Sequence, residues 1–510
     1  MSIFFRRIFL VLFVTLGALL AACGGGGGGS PPPVPVLTSI NGAATASGSA
    51  GTTFIVYGTG FGTLAAASPV AGYTLDFLDQ VTGSVVASAS WLAGGWSDAY
   101  IKAVVPNTLT LGATYDVSVS TPGGKSNAAS FLVTQGVAFS PSTLSWAATS
   151  ALPVGIQGFP TLVVPLAGGT YIYTLGGNTG LSGSLDAIKS NVAAVNFNQI
   201  NITTTVSPAV SAGSLLNSAW AATTPLPAER GFSAGVVANS FNSQVPAAAG
   251  GYVYVLGGLD TAGTAQATVY YAQVNSDGTL GTWGTTTALP HELYGHGATV
   301  FNGRFYVAGG NDATGNPTAG VYSAAINADG TLGSWSALPT LPVAVAYHQL
   351  LAAGGTLYVL GGTSSSGVDP TAHTRSAGAS DTVYYSVIDV ANGALTAAWA
   401  TTSSMIKVAE KKTAVAIGAT ILTSGGLFGA TNAQSFQSGE ESYATVSADG
   451  TVTSFGGATG SKTINSVASN TFFNHAAAFF ADTAGNPHVL ILGGQDIGGA
   501  IMNTEVWYQQ

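Results

Sequence analysis

The sequence predicts an all-β chain built largely from one repeated supersecondary unit, and three observations carry that reading. An octad recurs: Trp146-Ala-Ala-Thr-Ser-Ala-Leu-Pro153, Trp220-Ala-Ala-Thr-Thr-Pro-Leu-Pro227, Trp283-Gly-Thr-Thr-Thr-Ala-Leu-Pro290 and Trp335-Ser-Ala-Leu-Pro-Thr-Leu-Pro342, with degenerate copies from Trp399 and Phe455. A Gly pair ends an apolar run six times, at Gly176-Gly177, Gly257-Gly258, Gly309-Gly310, Gly361-Gly362, Gly425-Gly426 and Gly493-Gly494. Between these landmarks lie short apolar runs bounded by Gly, Asn, Asp, Ser and Pro, the strand pattern, with no amphipathic helix outside the first residues. Such self-similarity is the mark of a stacked or circular array.

The N-terminus reads as an address. Residues 1–22 have the form of a secretory leader, with Arg6 and Arg7 before the apolar run Ile8 to Leu20. Leu20-Ala21-Ala22-Cys23 resembles a bacterial lipobox, which implies lipidation of Cys23, the one cysteine of the chain. Gly24 after that cysteine is similar to proteins sorted to the outer membrane of a Gram-negative cell. Residues 23–35, with six consecutive Gly and then Pro31-Pro32-Pro33, form a tether that cannot build a core.

A first folded unit is expected over 36–134. Thr52-Thr-Phe-Ile-Val-Tyr57 alternates and runs into Gly58-Thr-Gly-Phe-Gly62. The glycine spacing does not fit a dinucleotide loop and no helical pattern follows, so a strand-end turn or bulge is expected. Tyr57 to Gly62, Trp96 to Pro106 and Val117-Ser-Val-Ser-Thr-Pro-Gly-Gly124 occur in this order, and together the span resembles the IPT/TIG family. The resemblance implies a small Ig-like β-sandwich acting as a spacer or interaction module.

The array occupies 137–510. The first glycines at 257, 309 and 361 stand 52 residues apart, and longer steps carry insertions such as Phe241 to Gly250 and Thr363 to Ser380. One unit reads as an apolar strand into the Gly pair, a strand with an aromatic (Tyr270, Tyr322, Tyr384, Tyr443, Trp507), an Asp-Gly or Asn-Gly turn, then a strand ending at the octad tryptophan. This resembles the kelch repeat, whose period is about 50 residues. The two ends are out of phase: Trp146 precedes any Gly pair, and the last pair is followed by one strand only. Adding the Trp146 strand to the last unit repairs both ends. The expectation is an all-β chain, an Ig-like β-sandwich plus a six-bladed kelch-type β-propeller closed by pairing of N- and C-terminal strands.

Composition narrows the function. Only 6% of residues are charged, and the formal charge of −9 becomes −11 if Arg6 and Arg7 leave with the leader. Nucleic-acid binding is excluded, because phosphate contacts need clustered Lys and Arg. A positive mean hydropathy would suit an outer-membrane barrel, but Gly-pair repeats with capping turns fit one poorly. Aligning the inner strands gives the column Phe159, Phe232, His296, His348, Lys412 and His475, flanked by Gln157, Arg230, Tyr294, Tyr347, Lys411 and Asn474. Arg230, Tyr294, His296, Tyr347, His348, Lys412 and His475 are the candidate ligand-binding residues at the channel mouth. The alternative for each histidine is a structural bond to a neighbouring blade's carbonyl. Metal-ligand spacing and a nucleophile elbow are absent, so no cofactor or metal is expected. Asp260, Asp312 and Asp496 read as turn caps rather than calcium ligands. A galactose-oxidase-like activity would need a second cysteine role, which Cys23 at the anchor excludes. The favoured reading is a cell-envelope binding module for a glycan or protein. The alternative, from resemblance to six-bladed kelch mutarotases, is a carbohydrate mutarotase or epimerase whose acid–base pair would be Glu292 and Arg230 beside His296.

Overall fold

The computed structural model describes residues 32–510 apart from 41–44, 50–52, 65–67, 107–108, 111–112, 135–144, 167–168, 181–186, 201–214, 217–218, 239–250, 302, 354, 373–374, 390–391, 418–419, 428–440, 448, 458–471, 482–486, 497–500, 503–504 and 510. Cys23, the leader and most of the tether lie outside the described residues.

The first unit is two sheets around one core. Val36–Ile40, Thr53–Thr59, Tyr100–Val104 and Ser90–Trp96 form the first sheet in that order. The second runs Thr45–Ser49, Ala129–Thr134, Thr114–Thr121, Thr74–Asp79, Val85–Ser88, with one parallel pair between Ala129–Thr134 and Thr45–Ser49. Alternation aims Phe54 from the first sheet at Phe77 and Phe131 from the second, with ring centroids 5.5 and 5.3 Å away. Gly58 pairs with Leu37 inside its strand, where a Cβ would stand 2.0 Å from Val36 O, and Gly60 (74°) and Gly62 (71°) turn the chain just beyond the strand's end. The glycine run is therefore a strand-end turn, as its spacing suggests. The outer face of the first sheet meets the array: Ile55 is buried, and Ile55 and Lys102 reach Gly355. Burial there pushes the Lys102 amine down and the Tyr57 hydroxyl up.

From Ser145 onward the chain is all-β and propeller-like. Among the described residues it forms six four-stranded antiparallel sheets. Their inner strands are Thr161–Leu166, Ala234–Ala238, Gly297–Phe301, Gln349–Ala353, Thr413–Ile417 and Ala476–Ala481. In the sixth sheet, Ser145–Ala148 pairs antiparallel with Glu505–Gln509, so the two ends of the array share one sheet. The core lies between sheets. Leu226, Val253 and Trp283 sit in the junction of the first and second sheets, Leu350 and Trp399 in that of the third and fourth. Leu152, Phe159 and Leu490 join the sixth to the first. A strand such as Tyr252–Leu256 is thus covered on both faces, which is why it reads as a continuous apolar run.

The repeated residues tie each sheet to its neighbour. The octad tryptophan donates to the preceding sheet: Trp283 Nε1 to Thr224 O at 2.9 Å, Trp399 Nε1 to Pro339 O at 2.9 Å. The octad threonines clasp the next sheet: Leu280 N donates to Thr223 Oγ1 at 2.8 Å, and Thr224 Oγ1 to Leu280 O at 2.6 Å. A tyrosine three residues before the Gly pair donates to the next sheet's turn glycine, as Tyr173 to Gly278 O, Tyr254 to Gly330 O and Tyr358 to Gly450 O.

The Gly pairs serve a closer fit than aromatic packing. Each pair has positive φ, as at Gly309 (58°) and Gly310 (90°). A Cβ on Gly309 would meet Val345 O of the next sheet at 2.4 Å, and one on Gly310 would meet His296 Cβ at 2.5 Å. Gly310 N in turn donates to Val345 O at 2.8 Å. Aromatic rings do reach glycines, at the turns, as Tyr252 against Gly330, and at the starts of inner strands, as Phe232 against Gly158. Gly309→Ala is expected to destabilise the chain by about 2–4 kcal/mol, because strain and a backbone clash add. Gly263→Ala, also at positive φ (75°) but with no atom closer than 3.6 Å, should cost roughly 1 kcal/mol. Urea midpoints of the two variants measure the difference, and equal losses would contradict the role given to the pair.

Candidate functional site

At the start of each inner strand the backbone turns into the left-handed region: Gly158 (56°), Phe232 (53°), Gly295 (58°), Tyr347 (52°), Lys411 (56°) and Asn474 (53°). This conformation aims each N–H at the carbonyl of the same position one sheet back. Phe232 donates to Gly158 at 2.7 Å, Gly295 to Phe232 at 2.9 Å, Tyr347 to Gly295 at 2.8 Å, Lys411 to Tyr347 at 3.0 Å and Asn474 to Lys411 at 3.2 Å. Gly158 donates to Asn474 at 2.8 Å, and the cycle closes.

The next residue of each strand faces the lumen: Phe159, Ser233, His296, His348, Lys412 and His475. This corrects the column read from sequence at one place. Phe232 is a ring residue, and Ser233 holds the lumen position of the second sheet. The lumen beyond the ring is a cavity of about 370 Å³ walled by the inner strands.

His296, His348 and His475 are brought together there, all buried. Neither ring nitrogen of His296 or His348 has a hydrogen-bond partner of ordinary geometry, nor does Ser233 Oγ. His475 Nε2 shares a 2.8 Å hydrogen bond with Thr413 Oγ1. Burial, aided by the neighbouring His348, pushes His296 down to about 3. Burial pushes His348 to about 4, against the opposing pull of the Ala308 carbonyl. Burial and then Lys412 push His475 to about 3. The lumen is therefore lined by neutral imidazoles. Two of them also wedge against glycines of the preceding sheet: a Cβ on Gly257 would meet His296 Cε1 at 3.0 Å, and one on Gly309 would meet His348 Cε1 at 2.6 Å.

The other candidates go elsewhere. Arg230 is buried outside the lumen, donating to Glu229 O and to Tyr270 Oη, with its guanidinium 5.1 Å from the Tyr270 ring centroid. Its backbone occupies the junction position filled by Leu293 or Val345 in other sheets, so the side chain points into a junction and not at the mouth. Glu292 is exposed. Tyr294 stands on the opposite side of the ring, edge-on to Tyr347 at 6.3 Å. Lys411 and Asn474, which the sequence marks only as flanking, carry the ring together with Tyr347. Among the described residues that line the lumen there is no carboxylate, and no cluster of three metal-binding side chains occurs among the described residues. Asp260 and Asp312 cap turns, Asp260 Oδ1 accepting from Ala262 N and Thr264 N, Asp312 Oδ1 from Thr314 N and Asn316 N.

No family model matches this chain, and no curated protein matches it. Among solved structures the chain is similar to that of YjhT, at 14% sequence identity and a TM-score of 0.45, over 70% of this chain and 95% of that one.

The lumen histidines also set a pH dependence. They are neutral when folded but take up protons in the unfolded chain below their ordinary value of 6.5. The unfolded state then binds more protons, so stability falls as pH drops from 6.5 towards 4. At pH 5 each should contribute about 2 kcal/mol of that loss. His348→Asn should narrow the gap between urea midpoints at pH 7 and pH 5, and an unaltered gap would contradict the burial of a neutral imidazole.

Proposed function

We propose that this chain is a cell-envelope lipoprotein in which an IPT/TIG-like domain (36–134) carries a six-bladed kelch-type propeller (137–510) that binds a small neutral glycan, without catalysis. Lipidation of Cys23 and the tether over 23–35 would hold it to the membrane, facing the periplasm or the exterior. The cycle of six sheets supports the blade number, and the shared aromatic core of the first two sheets supports the Ig-like reading. The observation that carries the binding role is the lumen wall itself. Ser233 and His296 carry polar atoms without a partner and His348 meets only the Ala308 carbonyl; the three stand on successive sheets, opposite Lys412, His475 and Phe159. Buried polar groups left unpaired are costly, and a hydroxyl-rich ligand satisfies them. A cavity of about 370 Å³ is in the range for one small ligand.

A mutarotase or epimerase would need an acid and a base on the same ligand. Arg230 is engaged with Tyr270 and Glu292 is exposed, so that reading has the weaker support.

A thermal-shift panel of neutral mono- and oligosaccharides tests the proposal. A sugar at about a hundred times its dissociation constant contributes roughly 2.7 kcal/mol, a rise of a few degrees. That rise should vanish in His296→Ala and in Ser233→Ala. Rates of anomer exchange, followed by NMR with the same sugars, should stay at the uncatalysed value. A flat panel would remove the glycan reading, and accelerated exchange would move the protein to the enzyme class.

A further inference from the structure

Among the described residues, the insertion between the fourth Gly pair and its next strand is the one long excursion that crosses the ring. Gly367 N donates to Gly315 O in the third sheet at 2.9 Å. Tyr347 Oη, from the fourth, donates to Val368 O at 3.3 Å. Lys411 Nζ, from the fifth, donates to Asp369 O at 3.0 Å and to Ala372 O at 2.8 Å. Asn474 Nδ2, from the sixth, donates to Pro370 O at 2.7 Å. The third and sixth sheets are opposite one another in the cycle, so residues 367–372 span it. Tyr294, which precedes ring residue Gly295, lines a cavity with Val368, Asp369 and Pro370 of this segment, and Glu410, which precedes Lys411, accepts from Ser376 N farther along the same insertion at 2.8 Å. Residues that follow the ring face the lumen.

The donors are not scattered. Ring positions one, two and three are Gly158, Phe232 and Gly295, which offer no side-chain donor. Positions four, five and six are Tyr347, Lys411 and Asn474, and all three hold the segment. Non-glycine residues in the left-handed region are strained, and such positions persist where the surroundings require them. Four carbonyls of the segment accept these side-chain bonds, so the latch grips its backbone, while the Val368 side chain packs against the cluster of Phe232, Tyr294 and Tyr347. The Lys411 ammonium also lies 5.5 Å from the Tyr347 ring centroid and 5.7 Å from that of Phe473, a cation enclosed by aromatic faces.

We infer that residues 367–372 are a latched plug that closes one end of the lumen, with Tyr347, Lys411 and Asn474 as the latch. The lumen is then a blind pocket entered from the far end of the inner strands, and release of the latch converts it into a through-channel. This holds whether or not the ligand is a glycan, so its test is independent of the sugar panel.

Thr371 supplies the probe, since it is fully buried in the segment and its hydroxyl bonds only within it, to Asp369. In the full chain carrying Thr371→Cys, a maleimide should label this thiol slowly, with the parental chain as the background control. Adding Lys411→Met, or separately Asn474→Gly, which suits the positive φ, should speed labelling roughly tenfold by favouring local opening. Near-UV circular dichroism should be unchanged. Should Lys411→Met fail to fold, Tyr347→Phe removes one hydroxyl only and serves the same comparison. Labelling that is fast before any latch substitution, or that neither folded variant accelerates, would overturn the plug.

Discussion

Everything in the array depends on a cycle of six backbone hydrogen bonds around the lumen. Each requires its residue to sit in the left-handed region, where the N–H of one sheet meets the carbonyl of the sheet before. Four of the six are not glycine. The strain at each, about 1 kcal/mol or more, is comparable to the net worth of one hydrogen bond. The cycle is therefore not the source of stability. That comes from the apolar junctions between sheets, where strands such as Thr356–Leu360 are buried along their whole length. The cycle supplies register: it fixes which residue of each inner strand faces the lumen and which faces the plug.

Register explains how the site is assembled. Once the ring residue is fixed, its successor must face the lumen. Three sheets place a histidine there, and the second Gly of each pair lies against that residue's Cβ. A side chain at the glycine would displace the lumen residue, so the Gly pair and the lumen chemistry are one constraint seen from two sides. The same histidines are wedged between sheets and exposed on one edge to the cavity. Packing and ligand contact are therefore not alternatives at these positions. Burial holds the imidazoles neutral in either role.

Much of this was legible in the sequence. The octads and Gly pairs announce the repeat, and the unequal ends of the array require the pairing of Ser145–Ala148 with Glu505–Gln509. The lumen column could be read except in the second sheet, where Phe232 and Ser233 exchange roles. Gly158 and Gly295 before Phe159 and His296 hold the clue, because glycine marks the left-handed ring position and Phe232 occupies the same slot. The tyrosine three residues before four of the Gly pairs was visible but had no evident partner. Its acceptor is a carbonyl about 76 to 105 residues away, which no local pattern reveals. Arg230 looked like a mouth residue because charge is scarce in this chain. The sequence could not show that its backbone falls in a junction and sends the guanidinium to Tyr270. The plug was visible only as an insertion, since the latch bonds go to its backbone carbonyls and leave no residue pattern in the sequence.

Hydrogen exchange at the six ring amides tests the central claim most directly. If the cycle is closed, the amides of Gly158, Phe232, Gly295, Tyr347, Lys411 and Asn474 open together and exchange only on global unfolding. Their protection should then agree within about tenfold, the seam between Gly158 and Asn474 included. A Gly158 amide exchanging orders of magnitude faster than the other five would contradict the account, because the array would then be an open stack whose ends merely meet.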